Sequence, residues 1–302
     1  MNRSWGYLSA LMVALLFGVW FSLDKILLGY LHPFALAALT YLIASVFLFF
    51  VYISPLKNRI LNTINKKSRV ENSISKKEYL ILFLTAIFGS VIAPALYLSG
   101  LSRITAVNAA LLTNVEILFI IVIGIFFLKE KVHKKDILGF ALLLIGAIFL
   151  STNGLRDLSF NQSLFGSLLV ISASFFWSLD TSLSKFLSHK RDIIFITALK
   201  SGIGGSILLV LSLILGLNFT LPLFRLPLLL FIGIVAVSFS LVLIYYSLRT
   251  IGSTRTGSIF ALSSLFGAIT AYFALGEPLT VLRILFGILM LMGVLILYKE
   301  EK

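Results

Sequence analysis

Long apolar runs, separated by short polar or basic connections, make up most of this chain. Ten runs can be drawn, each 16 to 27 residues long. Because a helix needs about 20 residues to cross the hydrocarbon core of a bilayer, the pattern predicts ten transmembrane helices. The runs are Trp5–Leu31, Pro33–Ile53, Tyr79–Leu101, Ala106–Leu128, Ile137–Thr152, Ser163–Leu187, Ile193–Leu217, Pro227–Leu248, Thr254–Leu275 and Val281–Tyr298. Pro94 lies inside the third run, where it predicts a kink.

The composition makes lipid the expected main solvent of the chain. The 302 residues are 59% hydrophobic and 12% charged, whereas about 25% of residues are charged in an average soluble chain. A soluble fold of this size could not bury so many apolar side chains. The first run is too long for the core of a signal peptide and lacks a small-x-small cleavage site, which predicts an uncleaved first helix. The predicted fold class is therefore an all-α integral membrane protein.

The basic residues lie mainly in the connections and give the chain a net charge of +13. With the amino terminus inside, 19 lysines and arginines fall on the cytoplasmic side and 5 on the other side. By the positive-inside rule, this asymmetry predicts that both termini are cytoplasmic. The expected location is the plasma membrane, the inner membrane of a bacterium or archaeon. The asymmetry also explains the positive charge without a nucleic-acid partner.

The longest connection, residues 55–78, is basic and polar, with Leu56, Ile60 and Ile64 at helical spacing. Two interpretations stay open for it. The connection contains a short helix that lies on the anionic cytoplasmic leaflet, or it is a solvated basic loop that only enforces topology.

The sequence contains a weak internal repeat. A shift of 147 positions places Leu101–Glu130 over Leu248–Glu277, and both segments end in a glutamate that follows a Leu-x step. At the start of each half, Gly18 precedes Lys25 by seven residues and Ser178 precedes Lys185 by seven. The pattern predicts two five-helix repeats, at residues 1–153 and 160–302. Because five is odd, the second repeat would enter the membrane upside down, as in secondary transporters.

The segments that carry this repeat resemble the EamA-like family of the drug/metabolite transporter (DMT) superfamily. The sequence FGVWFSLDK at Phe17–Lys25 resembles the start of the family's first repeat, and WSLDTSLSK at Trp177–Lys185 resembles the start of its second. The segments GLSRITAVNAALLTNVEILF and SLRTIGSTRTGSIFALSSLF resemble the family's paired later segments. The resemblance implies ten helices in two inverted repeats and transport of a small organic metabolite or drug, with export as the direction.

The chain departs from the family pattern at several positions. Phe17 stands in place of the usual tryptophan, and Ile117 and Ser264 occupy positions where proline is frequent. The basic residue common in the second helix is Thr40 here, whereas the seventh helix keeps Lys200. These departures leave the implied fold unchanged but weaken any substrate assignment taken from a relative.

Glu116, near the middle of the fourth run, is the leading candidate for coupling or substrate binding. A charge at the centre of a membrane helix costs roughly 2.5–3.5 kcal/mol, so it should face a partner or a wet cavity. A carboxyl group there suits binding and release of a proton, or binding of a cationic substrate. Asn114 on the same helix offers an additional polar group. The alternative is a glutamate held by a lysine or by hydroxyl groups that only joins helices.

Asp24, Asp180 and Lys200 are the other ionisable residues expected near the transport path. Asp24 lies toward the outer side and Asp180 toward the cytoplasm, where each would line a vestibule. The alternatives are pairing with Lys25 or Lys185, or extension to the interface. Lys200 could pair with Glu116 or Asp180, or hold a substrate carboxylate. A cavity holding both signs of charge would suit an amino acid.

Four aromatic residues fall in runs that a central cavity could touch. These are Trp20, Trp177, Tyr97 and Tyr245. Aromatic rings there would suit an amphipathic or cationic ligand. The alternative is ordinary packing or an interfacial aromatic belt.

The sequence predicts a secondary active transporter and not an enzyme. The absence of cysteine excludes disulfides, thiolate catalysis and cysteine-based metal sites. No catalytic, metal-binding or ATP-binding motif is found, so no cofactor is expected. Coupling to a proton or another cation, or exchange against a second solute, would supply the energy. The expected partners are a small-molecule substrate and the lipid bilayer, with a homodimer left open. The competing classes are a passive channel or facilitator and a non-transporting membrane scaffold.

Overall fold

The computed structural model describes residues 3–64, 76–128, 134–152, 161–188, 192–251 and 253–298. Every regular element within these ranges is helical. The α-helices are α1 (Arg3–Leu27), α2 (Pro33–Ile53), α3 (Leu56–Ile64), α4 (Lys76–Ala86), α5 (Ala93–Leu101), α6 (Ala106–Leu112), α7 (Val115–Leu128), α8 (Lys134–Ser151), α9 (Gln162–Ser188), α10 (Ile193–Ile214), α11 (Leu226–Phe231), α12 (Ser240–Ile251), α13 (Ser253–Phe260), α14 (Leu262–Leu275) and α15 (Val281–Tyr298).

Each predicted apolar run lies over one helix or one interrupted helical segment. In the described part of the chain, eight of these segments are long and apolar enough to cross a membrane. The fifth and tenth runs form shorter apolar helices, Ile137–Ser151 and Val281–Leu297, so their crossing of the bilayer stays a prediction. The first helix ends at Leu27 rather than Leu31, because residues 28–30 form a turn that leads directly into α2.

The connection between the second and third runs begins with a helix, α3. A short helix was part of one of the two interpretations, and its position on the cytoplasmic leaflet stays a prediction. Lys57 on α3 forms an ion pair with Asp192, with Nζ 3.3 Å from Oδ2. The same ammonium group lies 3.8 Å from the centroid of the Tyr52 ring. These contacts hold α3 against the ends of α2 and α10. Residues 65–75, Glu130 and the side chain of Lys185 lie outside the described part.

The regular α-helix of the third run is interrupted next to Pro94, the position at which the sequence predicted a kink. A π-helical turn at Ile87–Ile92 separates α4 from α5 and ends just before this proline. Because proline has no N–H to donate to a carbonyl of the preceding turn, the regular α-helical bonding is interrupted there. The eighth run contains a second π-helical segment, Ile232–Phe239, between α11 and α12.

The fourth and ninth runs are also interrupted, near their middles. Residues 113–114 form a turn between α6 and α7, and Ala261 forms a turn between α13 and α14. Asn114 Nδ2 donates a hydrogen bond of 2.8 Å to Ser264 Oγ, which joins the two runs close to their breaks.

Helices from the two halves of the chain pack against one another throughout the molecule. The most extensive contacts join α2 with α10, α8 with α15, α1 with α14, and α5 with α9. Glycine permits the α1–α14 contact, since a Cβ at Gly18 would lie 2.5 Å from Phe266 Cβ. Large apolar side chains such as Phe50, Ile214 and Phe273 remain on the outside, where lipid would cover them.

Candidate functional site

A small closed cavity lies where α1, α2, α5 and α9 meet. It has room for about one water molecule. Helix α1 supplies its carboxylate, and α2, α5 and α9 supply most of its aromatic surface. Its lining residues are Trp20, Asp24, Ala37, Thr40, Tyr41, Pro94, Tyr97, Leu98 and Trp177.

Asp24 is the only carboxylic acid among the residues lining this cavity, and none of them is a lysine, arginine or histidine. The Asp24 side chain is deeply buried. Its residue exposure is 2%, and it forms no ion pair within the described ranges. The neighbouring Lys25 does not pair with it. Lys25 Nζ instead donates to the carbonyl oxygens of Leu101 and Ile104, at 2.6 and 2.7 Å. The pairing of Asp24 with Lys25, one of the sequence alternatives, is therefore not formed.

Aromatic rings and unpartnered polar atoms surround the carboxylate. The Tyr97 and Trp177 ring centroids lie 5.3 Å apart. Thr40 Oγ1 and the Tyr97 hydroxyl are buried, and neither has a hydrogen-bond partner among the described residues. Such orphaned groups are rare in folded proteins and are costly to bury. The cavity thus presents both charge and unused hydrogen-bonding capacity.

A second polar group lies between α9, α10 and the π-helical turn of the third run. Lys200 Nζ forms a short ion pair with Asp180 Oδ2. Ser184 donates a hydrogen bond of 3.1 Å to the other carboxylate oxygen, Oδ1. Gly89, in the π-helical turn, allows this arrangement because a Cβ there would lie 2.0 Å from Asp180 Oδ2.

Glu116 joins this second group from α7. Its Oε1 accepts a hydrogen bond of 3.3 Å from the Thr181 hydroxyl. The carboxylate also interacts electrostatically with Asp180 and Lys200. Two carboxylates therefore share the field of one ammonium group, which leaves an excess of one negative charge when all three are ionised.

Tyr41 connects the cavity to the charged group. Its ring lines the cavity, and its hydroxyl donates to the Gly89 carbonyl oxygen at 3.3 Å. Tyr41 also lies within electrostatic reach of both Asp24 and Asp180. Tyr41, anchored to the π-helical turn, therefore lies near both carboxylates.

The structure brings most of the residues selected from the sequence into these two groups. Trp20, Asp24, Tyr97 and Trp177 line the cavity. Asn114 belongs to neither group, because its amide is held by Ser264 at the break of the fourth run. The side chain of Tyr245 lies outside the described part.

A vestibule position was one of the alternatives for Asp24 and Asp180, and both are buried in this structure. Their residue exposures are 2% and 8%. The reason is tertiary packing. Helices α2, α5 and α9 close around Asp24, whereas α10 and the π-helical turn cover Asp180.

The sequence reasoning missed Thr40, Tyr41 and Gly89 as site residues. Thr40 and Tyr41 did leave a signal, because they are adjacent polar residues in the otherwise apolar middle of α2. Gly89 left none, since a glycine in a membrane helix most often marks helix packing.

Replacing Gly89 by alanine tests the contact between the π-helical turn and Asp180. The added Cβ would overlap Asp180 Oδ2, so we expect the ion pair to shift and the unfolding free energy to fall by about 1–3 kcal/mol. Thermal unfolding of the detergent-purified variant measures this loss. Gly29→Ala is the control, because its Cβ would meet only a carbonyl oxygen at 3.3 Å. Equal midpoints for the two variants would contradict the proposed tight contact.

Comparison with known proteins identifies the family of the chain. The EamA-like transporter family matches residues 4–152 and again residues 164–299. A Methanothermobacter thermautotrophicus protein named an uncharacterized transporter is 48% identical over 303 residues, covering 100% of this chain and 88% of the relative. The uncharacterized transporter YyaM of Bacillus subtilis is 25% identical over 298 residues, covering 96% of this chain and 92% of the relative.

A solved crystal structure has a similar fold. It aligns with a TM-score of 0.68 at 17% sequence identity, covering 98% of this chain and 96% of the other. The apolar helices and the transporter relatives together establish a multi-pass membrane protein. Because the family match extends over nearly the whole sequence, the chain belongs to the EamA-like transporter family.

Proposed function

We propose that this protein is a secondary active transporter that moves a small organic metabolite or drug across the plasma membrane by alternating access. The observation that carries the proposal is the presence of two buried polar groups between helices of the two halves. One is the ion pair of Asp180 and Lys200, and the other is the aromatic-lined cavity that contains Asp24. Buried ionisable residues in membrane helices mark substrate and ion pathways by default. The family resemblance favours export as the direction.

Inverted repeats at residues 1–153 and 160–302 are part of this proposal. The family matches the chain once in each half. The shift of 147 positions also places the π-helical turn Ile87–Ile92 over residues 234–239, inside the second π-helical segment. The same shift places Asn114 over Ala261, where the fourth and ninth runs are interrupted. Ten membrane crossings with both termini in the cytoplasm follow from such repeats.

Glu116, Asp180 and Lys200 are proposed to couple transport to a proton or another cation. Asp180 already has an ammonium partner, whereas Glu116 has only the Thr181 hydroxyl as a hydrogen-bond donor within the described residues. The excess negative charge of the three groups would be neutralised by one bound proton. Release of that proton would leave two carboxylates competing for Lys200, which favours a different packing of α7 against α9.

The Glu116→Gln variant tests the coupling role. Proteoliposomes with a trapped pH-sensitive dye are challenged with amino acids, quaternary amines, nucleosides and sugars, each against a proton gradient. We expect a solute that drives proton movement in the wild type, and loss of that movement and of uphill accumulation in Glu116→Gln.

The Glu116→Asp variant is the matched control, because it keeps the carboxylate on the same helix and should retain partial coupling. Undiminished uphill accumulation by Glu116→Gln would contradict the coupling role. Proton conductance without any solute dependence would instead favour a passive channel.

A further inference from the structure

We propose that the cavity containing Asp24 binds the primary ammonium group of a small organic amine. The inference rests on the proposed transport function and deepens it, because this amine would be the transported substrate. It depends on three independent features of the cavity: the missing internal cation, the count of hydrogen-bond acceptors, and the aromatic lining.

The missing cation becomes apparent when the two halves are compared. The start of each half matches at a shift of 160, which places Gly18 over Ser178 and Lys25 over Lys185. The same shift places Thr40 over Lys200. In the second half, Lys200 neutralises the buried Asp180. In the first half, the position equivalent to Lys200 carries a neutral hydroxyl.

The first half nevertheless keeps a buried carboxylate, Asp24, which the same shift places over Ser184, one helical turn from Asp180. Asp24 has no ion pair in the described part of the chain. The Lys25 ammonium group donates instead to the backbone carbonyl oxygens of Leu101, the last residue of α5, and of Ile104. An isolated buried carboxylate costs several kcal/mol, and a cation bound next to it offsets that cost. A bound ammonium group would supply in the first half the charge that Lys200 supplies in the second.

The polar atoms of the cavity match the donors of a primary ammonium group. Such a group has three N–H bonds and no acceptor, as in lysine. The cavity offers the Asp24 carboxylate, the Thr40 hydroxyl oxygen and the Tyr97 hydroxyl oxygen, and the two hydroxyls have no other partner among the described residues. Its room for about one water molecule also fits an ammonium head, which is close to water in size.

The aromatic lining favours a cation and the absence of a basic side chain disfavours an acid. Trp20, Tyr41, Tyr97 and Trp177 line the same cavity, and aromatic faces attract ammonium groups by cation–π interaction. None of the lining residues is a lysine or arginine that could hold a ligand carboxylate. The site therefore favours a simple amine over a zwitterionic amino acid.

Tryptophan fluorescence can measure this binding without any transport. The chain has three tryptophans, and Trp5→Phe leaves only the two that line the cavity. In that background the detergent-purified protein is titrated with ethylammonium chloride, and with ethanol, glycine, tetramethylammonium chloride and sodium chloride as controls. We expect a saturable change with ethylammonium that none of the controls reproduces.

Two variants at position 40 provide the decisive comparison. Thr40→Lys places an internal ammonium group beside Asp24, as Lys200 lies beside Asp180, and should abolish ethylammonium binding while the protein stays folded. Thr40→Met has a similar length without charge and should weaken binding only severalfold. Asp24→Asn should weaken binding about ten- to a hundredfold, since it removes a charge-assisted hydrogen bond.

Equal loss of binding in Thr40→Lys and Thr40→Met would overturn the inference, and so would an equal response to ethanol or to sodium chloride. Undiminished binding in Asp24→Asn would overturn it as well. Proton movement driven only by uncharged solutes, without ethylammonium binding, would refute the amine site and leave the transport function standing. Ethylammonium binding without solute-driven proton movement and without uphill accumulation of any solute under a proton or sodium gradient would support the site and refute the transport function.

Discussion

Replacing Lys200 by methionine is expected to lower the free energy of unfolding by about 3–5 kcal/mol, because it leaves Asp180 as an unpaired buried carboxylate. Methionine retains most of the volume of the lysine stem, so the loss would come mainly from charge rather than from a cavity. The side chains of Lys200 and Asp180 are only 20% and 12% exposed, which limits solvation of the remaining charge. Thermal unfolding in detergent, followed by tryptophan fluorescence, measures the effect.

The double variant Asp180→Asn, Lys200→Met is the control for this first prediction. Removing both charges eliminates the isolated carboxylate, and a buried ion pair is often no more stable than its neutral replacement. We therefore expect the double variant to recover most of the stability lost in Lys200→Met. A double variant no more stable than the single one would contradict the prediction, because it would show that the unpaired Asp180 carboxylate is not the source of the loss.

Replacing Glu277 by alanine is expected to destabilise the protein by about 3 kcal/mol, through loss of two charge-assisted hydrogen bonds. The Glu277 carboxylate accepts from the backbone N–H groups of Ala106 and Val107, at 2.8 and 2.9 Å. These are the first residues of α6, whose N–H groups have no partner within the helix. The carboxylate also interacts favourably with the positive end of the helix dipole. Glu277 follows α14, so it fastens the ninth run to the start of the fourth.

The variant Glu277→Gln distinguishes the hydrogen bonds from the charge. Glutamine has one carbonyl oxygen where glutamate has two carboxylate oxygens, so we expect it to recover about half of the stability that alanine loses. Thermal midpoints of the wild type and the two variants, at low and high ionic strength, test this order. Identical midpoints for all three proteins would contradict a structural role for the carboxylate.

The sequence predicted the helical elements well because lipid imposes a simple rule. Every backbone polar group in the hydrocarbon core must be bonded within its own segment, so each long apolar run has to be a helix. The interruption of the third run was also predictable, since Pro94 lacks the N–H that a regular α-helix requires. The breaks at residues 113–114 and at Ala261 were not, because no proline or glycine occupies them.

The candidate site was only partly predictable. Rarity of ionisable residues in the apolar runs identified Asp24, Glu116, Asp180 and Lys200 before their surroundings were known. The small number of ionisable residues does not, however, specify which groups they contact in the folded protein. Asp24 and Lys25 are adjacent in sequence, but successive residues on a helix point about 100° apart, and Lys25 turns to the carbonyls of another segment.

The sequence by itself determined that the chain is embedded in lipid, that its fold is helical, and which ionisable residues lie in the membrane segments. Each of these follows from local composition and periodicity. The tertiary structure decided which charges are neutralised. Asp180 finds Lys200 on the next helix, whereas Asp24 is enclosed by aromatic side chains from three other helices. That difference arises from contacts between segments distant in the chain, and their free energies depend on packing distances that no local pattern records.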